Sequence, residues 1–144
     1  MSVNPIPTGF HTIAPNIIVK SVDAAVSFYK RAFGAEEIMR LSMPDGKVVH
    51  CELKFGDSRL NLAESMEGWP EHTLLAQMFV TDADAVFAQA VKAGAEVVSP
   101  MADMFFGSRE GRVLDPFGSS WTISTHKENV SVEEMQRRLN ALAA

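Results

Sequence analysis

The strongest constraint on this chain is that its pattern is written twice. FYKRAFGAEEI (28–38) stands opposite AQAVKAGAEVV (88–98), and each ends a helical pattern on Gly and enters a strand. GKVV (46–49) parallels GRVL (111–114), and FGDSRLNL (55–62) parallels FGSSWTI (117–123). A repeat of roughly 60 residues, present twice, means a duplicated module. Each copy reads as strand, helix and three strands. Such a unit lays its helix on one sheet face and leaves the other open. Two units edge to edge can curve the open faces into a cleft.

Local patterns place the elements. Residues 1–10 hold two Pro and one Gly and read as an irregular arm. Residues 12–19 read as a strand. Ser21 or Asp23 caps a helix carrying Val22, Val26, Tyr29 and Phe33, which Gly34 stops. Residues 36–42 form a second strand, Pro44-Asp45-Gly46 a turn, 48–55 an alternating third strand and 59–63 a fourth. Residues 64–71 are the linker. The order then restarts with a strand over 74–80. A helix capped by Asp82 follows, turning Val86, Phe87, Ala90 and Val91 inward and ending at Gly94. A short strand over 96–99 precedes Pro100, and strands over 111–114 and 119–125 flank a turn at 115–118. Ser131 and Glu134 make a capping box before Val132, Met135, Leu139 and Leu142 at helical spacing. This last helix packs on its own domain or reaches a second subunit, the former being preferred. The expectation is one α+β domain over residues 1–144, with module one about 10–64, module two about 73–126 and a C-terminal helix about 131–143.

Composition bounds the partners. The 144 residues are 47% hydrophobic and 22% charged, with a net charge of −5. An acidic balance without a basic block argues against nucleic acid. No apolar run approaches the roughly 20 residues of a membrane span, and the opening MSVNPIPTGF lacks the regions of a signal peptide. The lone Cys51 excludes an intrachain disulfide, so a cytoplasmic setting is expected.

Strand parity sorts the polar residues. If Cys51, Leu53 and Phe55 pack under a helix, His50, Glu52 and Lys54 face the other way. The same parity adds Asn16, Arg59, Asn61, Gln77, Thr122 and Ser124, polar groups where a core would want apolar ones. Candidate ligand-binding residues are Asn16, Arg59, Asn61, Gln77, Arg109 and Thr122. Arg109, after Phe105-Phe106-Gly107, suits a carboxylate, phosphate or phosphonate, or pairs with Asp103 or Glu110. His50 and Glu52, the candidate catalytic pair, have three readings. They are a metal pair completed by His11, a general acid/base pair, or a wall hydrogen bond that satisfies both groups. The last is preferred. Trp121 and Phe117 read as core, Trp69 as exposed, and His126 as surface. Cys51 reads as a buried residue with no basic neighbour on its face to activate it. The eight Met, among them Met39, Met43, Met66, Met78, Met101 and Met104, read as adaptable surface or ordinary core filler.

FYKRAFGAEE, MPDGKVVHCELKFGDSRLNLAE and, most specifically, GRVLDPFGSSWTISTHKENVSVEEMQRR resemble the vicinal oxygen chelate superfamily, the glyoxalase/bleomycin-resistance/dioxygenase fold, in its PhnB-like branch. The resemblance covers roughly residues 10–140. It implies paired βαβββ modules, a U-shaped mixed sheet around a cavity, and a homodimer. In the metal enzymes of that superfamily the resemblance places one ligand on each of four strands. Those positions carry Ala14 and Asn61 in module one and Leu75 and Thr122 in module two. Ala and Leu cannot coordinate, and Asn and Thr offer only neutral oxygens, so no cofactor is expected at these positions, and a divalent metal would need a non-standard site. Relatives in the branch carry Trp, an acidic residue and His where Phe106, Ser108 and Ser119 stand.

Three functions follow as expectations. The first is a metal-free PhnB-like protein that binds a small molecule in the inter-module cavity, as the superfamily's bleomycin-resistance proteins do. The second is an enzyme: a glyoxalase-like lyase or isomerase, or an acid/base catalyst using His50 and Glu52. The third is an interaction protein whose dimer surface matters most.

Overall fold

In the first copy, strand β1 (Asn16–Val19) leads through helix α1 (Val22–Phe33) to β2 (Glu36–Ser42), β3 (Val48–Phe55) and β4 (Ser58–Glu64). The computed structural model describes residues 2–144. The strands order as β1-β4-β3-β2, with β1 parallel to β4 and the other pairs antiparallel. β1 is shorter than the run of β-formers from Thr12. Pro15 has no N–H to give a ladder, and pairing begins where Asn16 meets Asn61. Ser21, rather than Asp23, caps α1: its Oγ accepts from the Ala24 N–H at 3.1 Å. Gly34 ends the helix in the left-handed conformation, φ 68°.

α1 buries Val22, Ala25, Val26, Phe28, Tyr29 and Ala32. Ile17, Cys51, Leu53, Leu60 and Leu62 of the sheet are buried too. Phe28, Tyr29, Phe33, Phe55 and Phe117 form an aromatic cluster, in which Phe28 meets Phe117 edge-on at 5.9 Å. Residues 117–119 belong to this first unit, which otherwise extends to Leu74.

The second unit comprises Leu75–Pro116 and Ser120–Ala144. It repeats the order: β5 (Leu75–Phe79), α2 (Ala83–Ala93), β6 (Glu96–Asp103), β7 (Ser108–Leu114) and β8 (Ser120–His126), arranged β5-β8-β7-β6 with β5 parallel to β8. β6 continues through Pro100. It is an edge strand, and its register shifts between Ser99 and Ala102, where a missing N–H costs least. Val91 of α2 is exposed; Ala83 and Ala90 are the buried positions. A side chain at Gly111 would collide with Phe87 of α2 and Met101, so glycine lets helix and sheet approach closely.

The duplication is real, but one of its sequence parallels is out of register. Cys51 faces Leu62 across β3–β4, and Gly111 faces Ile123 across β7–β8. GKVV therefore opens β3, while GRVL closes β7. A better mark of common design lies where the fourth strand of each copy meets its helix. The Glu64 carboxylate accepts from the Val22 N–H at 3.0 Å and the Val48 N–H at 3.1 Å. In the second copy, Thr125 Oγ1 accepts from the Ala83 N–H and donates to the Val80 carbonyl, both at 2.8 Å. Each is an unpaired donor at a helix start, satisfied by a strand side chain.

The C-terminal helix α3 (Val132–Ala143) is capped by Ser131, whose Oγ accepts from the Glu134 N–H at 3.2 Å. Arg138 ties it to its own unit through the Phe105 carbonyl and Glu128. Its apolar stripe is only partly covered: Met135 is half-buried, but Val132 is 76% and Leu142 70% exposed. Arg137 and Arg138 pull the Glu134 carboxyl down to about 2. A folded pKa below the unfolded one, about 4.3, gives a contribution present above that value and lost as pH falls toward 2. In NMR titration Glu134 should hold its charge through pH 4 and titrate near 2, and R137A/R138A should move it back toward 4. No helix among the described residues is long and apolar enough to cross a membrane.

Candidate functional site

In module one the pairing register places the polar residues on one face. Asn61 lies opposite Asn16 on β1 and Glu52 on β3, and Lys54 lies opposite Arg59. Met39 and Leu41 of β2 oppose Glu52 and His50. Cys51, Leu53, Leu60 and Leu62 alternate with them and are buried on the α1 side. The face turned from α1 thus holds Asn16, His50, Glu52, Lys54, Arg59 and Asn61, as strand parity indicated.

His50 Nε2 and Glu52 Oε2 lie 3.1 Å apart, with the two side chains 35% and 13% exposed. No third His, Cys, Asp or Glu joins them in a potential metal cluster among the described residues. The completion by His11 that the metal reading required does not form: His11 sits exposed on the arm ahead of β1.

Arg59 is held against that arm. Its guanidinium carbon lies 5.6 Å from the centroid of the Phe10 ring, within cation–π range. The guanidinium also fills the space a side chain at Gly9 would need, and Gly9 takes φ 87°. Arg59 Nη1 and Asn61 Oδ1 are both buried, and neither has a hydrogen-bond partner. Buried polar atoms are nearly always satisfied. Arg59 and Asn61 leave a donor and an acceptor unmet two residues apart on one strand face; Arg40 Nε, opposite Cys51 on the α1 side, is a third such atom.

The second copy's equivalent face is closed by its own bonds. Gln77 Nε2 donates to Ser124 Oγ at 3.1 Å and to Glu110 Oε2 at 3.3 Å, and Ser124 Oγ donates to Glu110 at 2.7 Å. Arg112 Nε donates to Thr122 Oγ1 at 3.1 Å. Gln77, Thr122 and Ser124 share a face as expected. The expected strand over 111–114 stops short of Glu110, which β7 (Ser108–Leu114) includes; Arg112 lies within that strand, opposite Thr122.

Arg109 does not join this face. It shares parity with Gly111 and Val113, so it projects toward α2, where Asp84 engages it through two bonds at 2.8 and 3.0 Å. Asp103 adds a contact at 3.3 Å, whereas Glu110 is bonded elsewhere. The pairing holds the Asp84 carboxyl below the usual carboxylate range. A surface depression of about 570 Å³ lies here, lined by Asp103, Met104, Gly107, Ser108, Arg109, Lys127 and Glu128. Its Arg109 is already engaged, and its Glu128 pairs with Arg138.

Trp121 is buried, and its Nε1 donates to Asp115 at 2.9 Å; Trp69 is exposed. His126 is exposed and lies 2.8 Å from Asn129. Cys51 is buried but has a basic neighbour after all, Arg40 on β2. Arg40 is tied to Asp23 and Glu37. Burial pushes the Cys51 thiol up and outweighs the opposing pull of Arg40.

The positions that the family resemblance assigns to metal lack suitable donors. In module one, Ala14 precedes β1 and Asn61 offers an amide; in module two, Leu75 is exposed and the Thr122 hydroxyl accepts from Arg112. Carboxylate, imidazole and thiolate are missing from both pairs, and these residues do not fit a metal of that kind.

An uncharacterized protein of Mycobacterium bovis is 31% identical, covering 98% of this chain and 97% of its own length. Among solved structures, TioX from Micromonospora sp. ML1 superposes with a TM-score of 0.70 at 24% identity, covering 81% of this chain and 98% of its own, a likeness of fold alone. An Arabidopsis thaliana gene product superposes with a TM-score of 0.63 at 30% identity, covering 82% and 99%. Residues 9–123 match the family model described as Glyoxalase/Bleomycin resistance protein/Dioxygenase superfamily, and the chain belongs to that superfamily.

Proposed function

We propose that this chain is a PhnB-like, metal-free member of the superfamily that binds a small molecule on the helix-free face of module one. The supporting observation is the buried, unpartnered pair of Arg59 Nη1 and Asn61 Oδ1. An unmet donor or acceptor costs about 1–3 kcal/mol, and a ligand that meets both relieves that cost. Met39 and Leu41 on the same face supply apolar area. A fragment screen read by amide chemical shifts tests this. Hits should move Glu52, Arg59 and Asn61. Hits confined to the Arg109 depression, or none at all, would overturn it.

A second reading, acid/base catalysis, draws on the 3.1 Å contact of His50 with Glu52. Glu52 can orient the imidazole. In a glyoxalase-type assay on a hemithioacetal, His50→Gln should then abolish turnover while fragment binding persists. Turnover unchanged in that variant removes the reading.

We further propose a homodimer in a reducing, cytoplasmic setting. The exposed stripe of Val132, Leu139 and Leu142 supports the pairing. Light scattering should give twice the chain mass, and V132E/L142E should halve it.

A further inference from the structure

The charge pattern around Arg59 narrows the ligand class of the face proposed above, on which this inference rests. Lys54 and Arg59 are direct partners across β3 and β4. Like charges so placed destabilise a sheet. Neither makes an ion pair among the described residues. Glu36 opposes Lys54 on its other flank without closing to ion-pair distance, and the Glu52 carboxylate, opposite Asn61, is engaged by His50. Two cations thus face each other outside any ion pair, and one of them has a buried N–H with no acceptor. Beside them Asn61 Oδ1 is a buried acceptor with no donor. A simple anion would satisfy Arg59 and repel Asn61; a neutral amide would leave the two cations unbalanced.

We propose that this face binds a small carboxylate carrying a hydroxyl or N–H beside its acid group. The carboxylate accepts from Arg59 Nη1 and faces Lys54, while the neighbouring O–H or N–H donates to Asn61 Oδ1. Phe10, stacked on Arg59 from the arm, holds the guanidinium in place and adds an aromatic wall. Charge-assisted bonds from Arg to carboxylate are the stronger ones, so the acid group sets affinity and the donor sets selectivity.

Three probes separate these contributions: mandelate, phenylacetate without the hydroxyl, and mandelamide without the charge. In amide-shift titrations of the full chain, mandelate should move Glu52, Arg59 and Asn61. The other two should each bind about tenfold or more weakly. Arg59→Gln should lose mandelate with its spectral dispersion intact, and Asn61→Leu should bind mandelate and phenylacetate alike. Phenylacetate or mandelamide binding as well as mandelate would overturn the class while leaving small-molecule binding in place. So would silence from all three probes alongside fragment hits on this face. A face that neither probes nor fragments move would overturn both.

Discussion

Replacing Glu64 with Ala should destabilise the protein by about 2–5 kcal/mol, because it strands two backbone donors at once, each costing about 1–3 kcal/mol. The Val22 N–H opens α1 and the Val48 N–H opens β3; both residues are buried, and water cannot readily replace the carboxylate. At about 2–4 °C per kcal/mol for a domain of this size, the melting temperature should fall by about 4–20 °C. Glu64→Gln keeps one acceptor oxygen and should lose about half as much. Urea unfolding of the three proteins measures this. A Glu64→Ala loss under about 1 kcal/mol would mean that the clamp is not what satisfies these donors.

Phe28→Ala should cost about 3–5 kcal/mol, the usual range for emptying an aromatic site in a core. Phe28 is buried and touches Tyr29, Phe33 and Phe117 edge-on. Phe117 comes from the turn between β7 and β8, yet its packing is with module one. A double-mutant cycle between Phe28 and Phe117 should therefore show a coupling of about 0.5–1.5 kcal/mol. Additivity would show that the DPFG turn does not contribute to this core.

Much of the candidate face was legible in the chain. Asn16, His50, Glu52, Arg59 and Asn61 came together because a β-strand alternates strictly, so parity alone chooses the face. Parity worked less well in module two. The expected strand over 111–114 begins three residues after β7 does and so omits Glu110. Arg109 pairs with Asp103, as one of its two readings expects, but as a strand residue it points toward α2, where Asp84 engages it more closely.

The sequence by itself determined the duplicated βαβββ plan, the caps at Asp82 and Ser131, and the side on which the polar residues of β1, β3, β4, β5 and β8 lie. These follow from periodicity and local backbone chemistry, which act over a few residues. Only the tertiary structure decided which polar groups find partners. Glu64 reaches two segments far away in sequence, Asp84 takes Arg109, and the second copy's Glu110, Gln77 and Ser124 satisfy one another. Arg59 Nη1 and Asn61 Oδ1 are left open. Such pairing depends on distances between elements, set by packing and register, and residue spacing along the chain does not encode it.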